Sequence, residues 1–201
     1  MGSIRRYFDQ VSVLLSTVDE ANVIEIADLF WSCYQRDSRL VVCGNGGSAA
    51  TASHFATDLQ KGLGGSGIAD KSWEVLSLAE SMPLVTAWSN DTDYENVFAA
   101  QAKCWVRPGD VLLAISGSGN SPNIIRAVEA AREIGAITVG WSGFGGGKLS
   151  RIAEHNIVLE SSNMQLVEDI HMVLAHGIFC NLRDRQSSLL LSPILGKNGS
   201  F

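Results

Sequence analysis

Thiol and basic chemistry are scarce in this sequence. Its 201 residues include four cysteines, Cys33, Cys43, Cys104 and Cys180, spread far apart and with no CxxC pair. Neither a zinc knuckle nor a dithiol redox motif is spelled out, and buried free thiols in a reducing cytoplasm are expected. No apolar stretch is long enough to span a bilayer, so no membrane association is expected. The opening MGSIRRYFDQ lacks the apolar core of a signal peptide, and Arg6 stands where a myristoylation motif needs Ser or Thr. Lysine and arginine total 15 against 21 aspartates and glutamates. They form no stripe, which argues against holding a nucleic-acid backbone by bulk charge. A small anion held by local amides is still compatible with that balance. What is present, 46% hydrophobic and 18% charged residues, fits one compact domain over residues 1–201.

The chain is organised around Leu40 to Gln60 (LVVCGNGGSAATASHFATDLQ). The apolar run Leu40 to Cys43 has the length of a buried strand and breaks at Gly44-Asn45-Gly46-Gly47, after which the pattern suits only a helix. Glycines let the backbone turn sharply and bring its amides to a ligand, and Ser48 is placed to cap a helix whose free N–H groups favour an anion. Within that helix His54 and Asp58 stand at i and i+4, so an imidazole and a carboxylate share one face just beyond the loop.

Two helices precede this unit, Ile4 to Leu15 and Asp19 to Tyr34. The second carries a stripe of Val23, Ile26, Ala27, Phe30 and Trp31 broad enough to suggest packing against another subunit. After the first unit comes a glycine-rich loop from Lys61 to Gly67, then a strand over Trp73 to Leu78. A polar turn follows over Ser89 to Tyr94, then a helix over Tyr94 to Trp105 and an apolar strand over Val111 to Ile115. Ser121-Pro122 reads as the N-cap and N1 of a helix running to Ile134. Strands at Ala136 to Gly140 and Asn156 to Leu159 flank a short helix at Lys148 to Ala153, and a long helix from Met164 to Arg183 precedes an irregular tail, 186–201. Alternating strands and helices, with each strand apolar throughout, imply a three-layer α/β sandwich on a five-stranded parallel sheet with ligands at the strand C-termini.

Gly44-x-Gly46-x-x-Ala49 has the spacing of a dinucleotide fingerprint, but the region about 20 residues on, where an acid should grip the ribose, is glycine-rich and the next acid after the following strand is Glu80. The second loop is more telling. Ser116, Ser118 and Ser121 offer three hydroxyls beside the amides of Gly117, Gly119 and Asn120 at a helix start, a neutral cradle for a phosphate monoester. The lysine that a P-loop places before its hydroxyl residue is lacking, which disfavours nucleoside triphosphate hydrolysis. A plain helix cap would explain Ser121 but not three serines.

On these residues GNGGSAATASHFATDL and ISGSGNSPNIIRAVEAAREIGAITVG, the chain resembles the sugar isomerase (SIS) domain family, and within it the phosphoheptose isomerase branch, from about Ile4 to Arg183. The resemblance implies flavodoxin-like subunits in a homotetramer with active sites at subunit boundaries. It also implies cytoplasmic conversion of sedoheptulose 7-phosphate to D-glycero-D-manno-heptose 7-phosphate. The positions matching the family's substrate contacts are Asn45, Gly46 and Ser48 in the first loop, Asp91 in the polar turn, Ser116, Gly117, Ser118 and Ser121 in the second loop, and Glu168.

Moving a proton between neighbouring carbons through an enediolate needs a base, an acid for the oxygens and charge stabilisation. By resemblance, His54 and Asp58 from the first core helix meet Glu168 and His176 from the last. Asp58, Glu168 and His176 are then the catalytic candidates, and His54, Asp58, Glu168 and His176 the set for zinc. Asp58 is one methylene shorter than the family's Glu, and Glu168 is charged where Gln is usual, so Glu168 is a candidate base. Asp169, seven residues before His176, projects from nearly the same side and is a rival orienting group. His171 reads as an interface or surface histidine. Four protein ligands would leave zinc no open position. A non-catalytic SIS phosphosugar sensor or scaffold is the alternative.

Overall fold

The computed structural model describes residues 2–64 and 72–195, with side chains placed through residue 188. Helices α1 (Ser3–Ser16) and α2 (Glu20–Gln35) lead into strand β1 (Leu40–Gly44) and helix α3 (Gly47–Leu59). Next come β2 (Val75–Ser77), α4 (Met82–Asp91), α5 (Val97–Trp105), β3 (Val111–Ile115), α6 (Pro122–Ile134), β4 (Ile137–Ser142), α7 (Leu149–Ile152), β5 (His155–Val158) and α8 (Met164–Leu195). The five strands are all parallel, in the order β2-β1-β3-β4-β5. The sheet therefore winds outward in both directions from β1 and β3, and the loops after these two strands flank the topological switch point, where such sheets bind ligands.

Alternation along the strands assigns the two cores. Leu40 and Val42 of β1 and Val111, Leu113 and Ile115 of β3 face a core shared with α1, α2, α3 and α8. Val41, Cys43, Leu112 and Ala114 face the opposite layer of α5, α6 and α7. The central strands β1 and β3 bury both faces, which is why each is a continuous apolar run, whereas β5 at the sheet edge leaves Val158 exposed. Asp110, nearly buried, seals the entry to the sheet by accepting the backbone N–H of Arg39 at 2.8 Å and of Arg107 at 2.7 Å.

Four expectations are corrected. The stretch from 186 is not an irregular tail: α8 continues to Leu195, because buried Gln186 docks it by donating to Tyr34 Oη (3.0 Å) and to the Leu63 carbonyl (2.6 Å). The last six residues lie outside the description. The polar turn at Ser89 to Tyr94 begins as the final turn of α4, where Thr92 Oγ1 donates to the Trp88 carbonyl, and ends in a 3-10 turn at Tyr94–Asn96. Part of the glycine-rich loop, Gln60–Gly64, is a turn of π-helix, and its remainder from Gly65 falls outside the described residues. Finally, the stripe on α2 is mostly core, since Ile26, Ala27 and Phe30 are buried and Val23 and Trp31 pack against them. On α2 Ile24 is exposed, while α1 carries four exposed large apolar side chains, Ile4, Phe8, Val13 and Leu15.

Candidate active site

Loop β1–α3 turns at Gly46, whose φ of +53° only glycine adopts without strain. Ala49 then donates its amide to the carbonyls of Asn45 and Gly46. Ser48 consequently lies inside the first turn of α3, buried, and is not the N-cap that the sequence suggested; Gly46 occupies that place with no side-chain cap. Across the switch point, loop β3–α6 is held by Gly119 N–H to the Ser116 carbonyl, by Gly143 N–H to the Gly117 carbonyl and by Lys148 N–H to Asn120 Oδ1. Ser116 Oγ and Ser121 Oγ lie 3.3 Å apart, and Ser118 Oγ accepts the Asn120 amide at 3.2 Å. None of the backbone hydrogen bonds of this loop uses the amides of Gly117, Ser118 or Ser121. Three hydroxyls and three such amides at the start of α6 form an anion cradle without a basic side chain.

The two loops enclose a cleft of about 220 Å³ lined by Asn45, Gly46, Gly47, Ser48, Ser116, Gly117, Ser118, Ser121, Met164 and Glu168, among others. Of the nine substrate positions expected from sequence, eight meet there. Asp91 does not: it ends α4, exposed, and accepts from Asn90 Nδ2. A larger cavity of about 570 Å³ lies at the sheet edge beside Trp73 and Trp105, but it gathers no convergent catalytic groups and sits away from both loops.

Glu168 stands directly over Gly47, where any Cβ would collide with its carboxylate. That carboxylate makes no hydrogen bond or ion pair with a described residue. Eight residues further along α8, about 12 Å of helix rise, His176 meets the two candidates on α3. Its Nε2 lies 3.1 Å from His54 Nε2 and 3.8 Å from Asp58 Oδ2, and His54 Nε2 lies 3.3 Å from the same Asp58 oxygen. Helices α3 and α8 thus share a seam with the glycine and Glu168 at one point and the His54–Asp58–His176 cluster further on. Glu168 is not part of this cluster, so the expected four-residue metal set reduces to three.

Donor chemistry and spacing of the three suit a zinc ion. Tetrahedral coordination with bonds of about 2.0–2.1 Å puts neighbouring donor atoms about 3.3 Å apart, close to the observed 3.1, 3.3 and 3.8 Å. Three protein ligands also leave the open fourth position that a catalytic site keeps.

The other two candidates on α8 point elsewhere. Asp169 accepts from Tyr7 Oη at 2.7 Å, which pushes the Tyr7 hydroxyl up to about 12 and engages Asp169 with α1 instead of His176. His171 is neither interface nor surface: it is fully buried against Trp141, and burial pulls it down to about 4 against a weaker opposing contribution from the Ser142 backbone.

A family model described as SIS domain matches residues 6–143, more than half of the chain. The chain belongs to the SIS domain family, in its phosphoheptose isomerase branch. It is 36% identical over 145 residues to a phosphoheptose isomerase of Crocosphaera subtropica, covering 72% of each chain. With phosphoheptose isomerase 1 of Campylobacter jejuni it shares 32% identity, over 87% of this chain and 92% of that one. The solved structure of a phosphoheptose isomerase from Neisseria gonorrhoeae superimposes with a TM-score of 0.83 at 27% identity, covering 90% and 97% of the two chains.

In this SIS domain two residues that sequence reasoning passed over complete the site. Asn123, 2% exposed, and Tyr94 both hydrogen-bond to the cleft residue Asn45. Asn123 sits two residues past the Ser121 cap, in the first turn of α6. That place, facing the other loop, was the only signal in the sequence. Tyr94 gave none, because the fold alone brings it 49 positions back to Asn45.

Proposed function

We propose that the protein is an aldose–ketose isomerase that interconverts sedoheptulose 7-phosphate and D-glycero-D-manno-heptose 7-phosphate. The observation that carries this reading is the placement of a free carboxylate, Glu168, in the same cleft as a neutral phosphate cradle. Its relatives of 31–36% identity carrying the phosphoheptose isomerase name support it.

The phosphate accepts hydrogen bonds from Ser116, Ser118 and Ser121 and from the loop amides, so the dianion is held by dipoles that leave Glu168 unpaired. Glu168, fixed above Gly47, takes the proton from the carbon beside the carbonyl and returns it to the neighbouring carbon. His54, Asp58 and His176 would hold a zinc ion, and such an ion would supply positive charge to oxygens of the sugar. His176 acts within that cluster and not as a lone acid, because its Nε2 is committed to His54 and Asp58. Gathering these three polar side chains on one seam serves catalysis and has no purpose in a scaffold.

We further propose a homotetramer of cytoplasmic subunits. The exposed Ile4, Phe8 and Leu15 recur at helical spacing on α1 and suit burial against another copy. Asp91, exposed and outside the lining of its own cleft, would serve a neighbouring subunit's site. Incubating the protein with a panel of ketose phosphates in deuterated water, with and without added zinc, tests the assignment. NMR should show an aldose product with deuterium at the carbon next to the new carbonyl. No isomerisation of any ketose phosphate under either condition overturns it in favour of a binding scaffold.

A further inference from the structure

Asn123 is a buried amide in the first turn of α6, and its contacts form a chain that begins at a group whose polarity is fixed. The backbone N–H of Ile124 can only donate, and it shares its proton between the Ser121 carbonyl at 3.1 Å and Asn123 Oδ1 at 3.0 Å. That makes the other end of the amide Nδ2, which donates to Asn45 Oδ1 at 2.8 Å. Asn45 must then turn its own Nδ2 toward Asn123 Oδ1, again at 2.8 Å, closing a reciprocal amide pair. Tyr94 Oη donates to Asn45 Oδ1 at 2.9 Å and occupies its second lone pair. Of the four hydrogen-bonding capacities of the Asn45 side chain, three are used. The one left is a single N–H, on a residue that lines the cleft.

A buried amide costs free energy that an apolar side chain of the same size would avoid. Among the described residues, the hydrogen bonds of the Asn123 side chain go to the neighbouring Ile124 amide and to Asn45. Its cross-loop partner is Asn45, across the switch point between the two ligand loops. We propose that Asn123 is a positioning residue: from a buried place it fixes Asn45 as an N–H donor, never a carbonyl acceptor, toward an oxygen of the phosphosugar, with Tyr94 as the second support. This rests on the phosphosugar reading of the cleft.

The test is kinetic and uses the whole protein. Asn123→Asp keeps the shape and the acceptor for Ile124, but replaces the donor to Asn45 Oδ1 by a second acceptor. Loss of one substrate hydrogen bond held in place should raise KM for the ketose phosphate about tenfold, with kcat changed much less. In an Asn45→Ala background the same substitution should change KM less than about twofold, because its effect passes through Asn45. Tyr94→Phe, at a half-exposed site that the fold does not need, should raise KM by a smaller factor, and the side-chain amide protons of Asn45 should lose their exchange protection in both single variants. Unchanged KM in Asn123→Asp and Tyr94→Phe, or an equal loss with and without Asn45, overturns the positioning role. If Asn123→Asp fails to fold, Tyr94→Phe and the amide exchange decide. Failure of the wild type to turn over any ketose phosphate refutes the phosphosugar reading instead.

Discussion

At the scale of single residues the chemistry divides between binding and turnover. In the proposed complex each of Ser116, Ser118 and Ser121 donates to the same phosphate, so replacement of any one by Ala should weaken ketose phosphate binding by about 0.5 to 1.5 kcal/mol and leave thermal unfolding nearly unmoved. Calorimetry of all three variants checks this, and unaltered affinity throughout would remove the cradle assignment. His176→Ala breaks the cluster on the α3–α8 seam while touching nothing in the loop cleft. Turnover should nearly vanish, zinc content measured by atomic emission should fall with it, and phosphosugar binding should persist. His171 has a different role. Burial holds its folded-state proton affinity down to about 4, whereas an unfolded histidine titrates near 6.5. Between those values the unfolded chain binds a proton that the folded one refuses, so stability declines as pH falls from about 6.5 to about 4 and is fully present above 6.5. Urea unfolding at pH 7 and pH 5 should show that decline in the wild type and a smaller one in His171→Leu.

At the scale of elements, the pairing of α3 with α8 decides how the carboxylate is presented. Gly47 opens α3 beneath Glu168, and an added Cβ would meet the end of a flexible side chain, not backbone. Gly47→Ala should therefore fold with little change in melting temperature yet displace Glu168 and cut kcat by about a hundredfold, the order expected when a reacting group shifts by about an ångström. Normal kcat in this variant would show that Glu168 is not the base. Helix α8 also shows where sequence reading reached and where it stopped. Glu168 and His176 were legible through the family resemblance, which set them apart from Asp169 and His171 on the same helix. The helix beyond Arg183 was not, because Gln186 looks like any surface glutamine until Tyr34 and the Leu63 carbonyl are seen to receive its amide. The opposite error occurred on α2, whose apolar stripe was assigned outward although the sheet behind it needed that cover.

At the scale of the molecule, the exposed apolar side chains of α1 and the exposed Asp91, outside the lining of its own cleft, are the features on which the proposed tetramer rests. Light scattering should report a tetramer. Phe8→Glu, which places a charge in the apolar stripe without touching the core, should lower the oligomeric state and reduce activity together. A monomer with full activity would separate assembly from catalysis.

The sequence by itself determined the layered α/β architecture, because strands buried on both faces must be continuous apolar runs and glycine turns must interrupt them. It also determined the serine and glycine loop proposed to cradle the phosphate, since its three serines and the glycines among them lie within a few residues of one another, and the pairing of His54 with Asp58, which one helical turn enforces. Tertiary structure alone decided the rest. It separated Glu168 from the metal set, turned Asp169 to Tyr7, buried His171 against Trp141 and joined Asn45 to Asn123 and Tyr94. Each of these depends on the rotation and offset of one packed element against another, which the contacts of the whole core fix and no local pattern records.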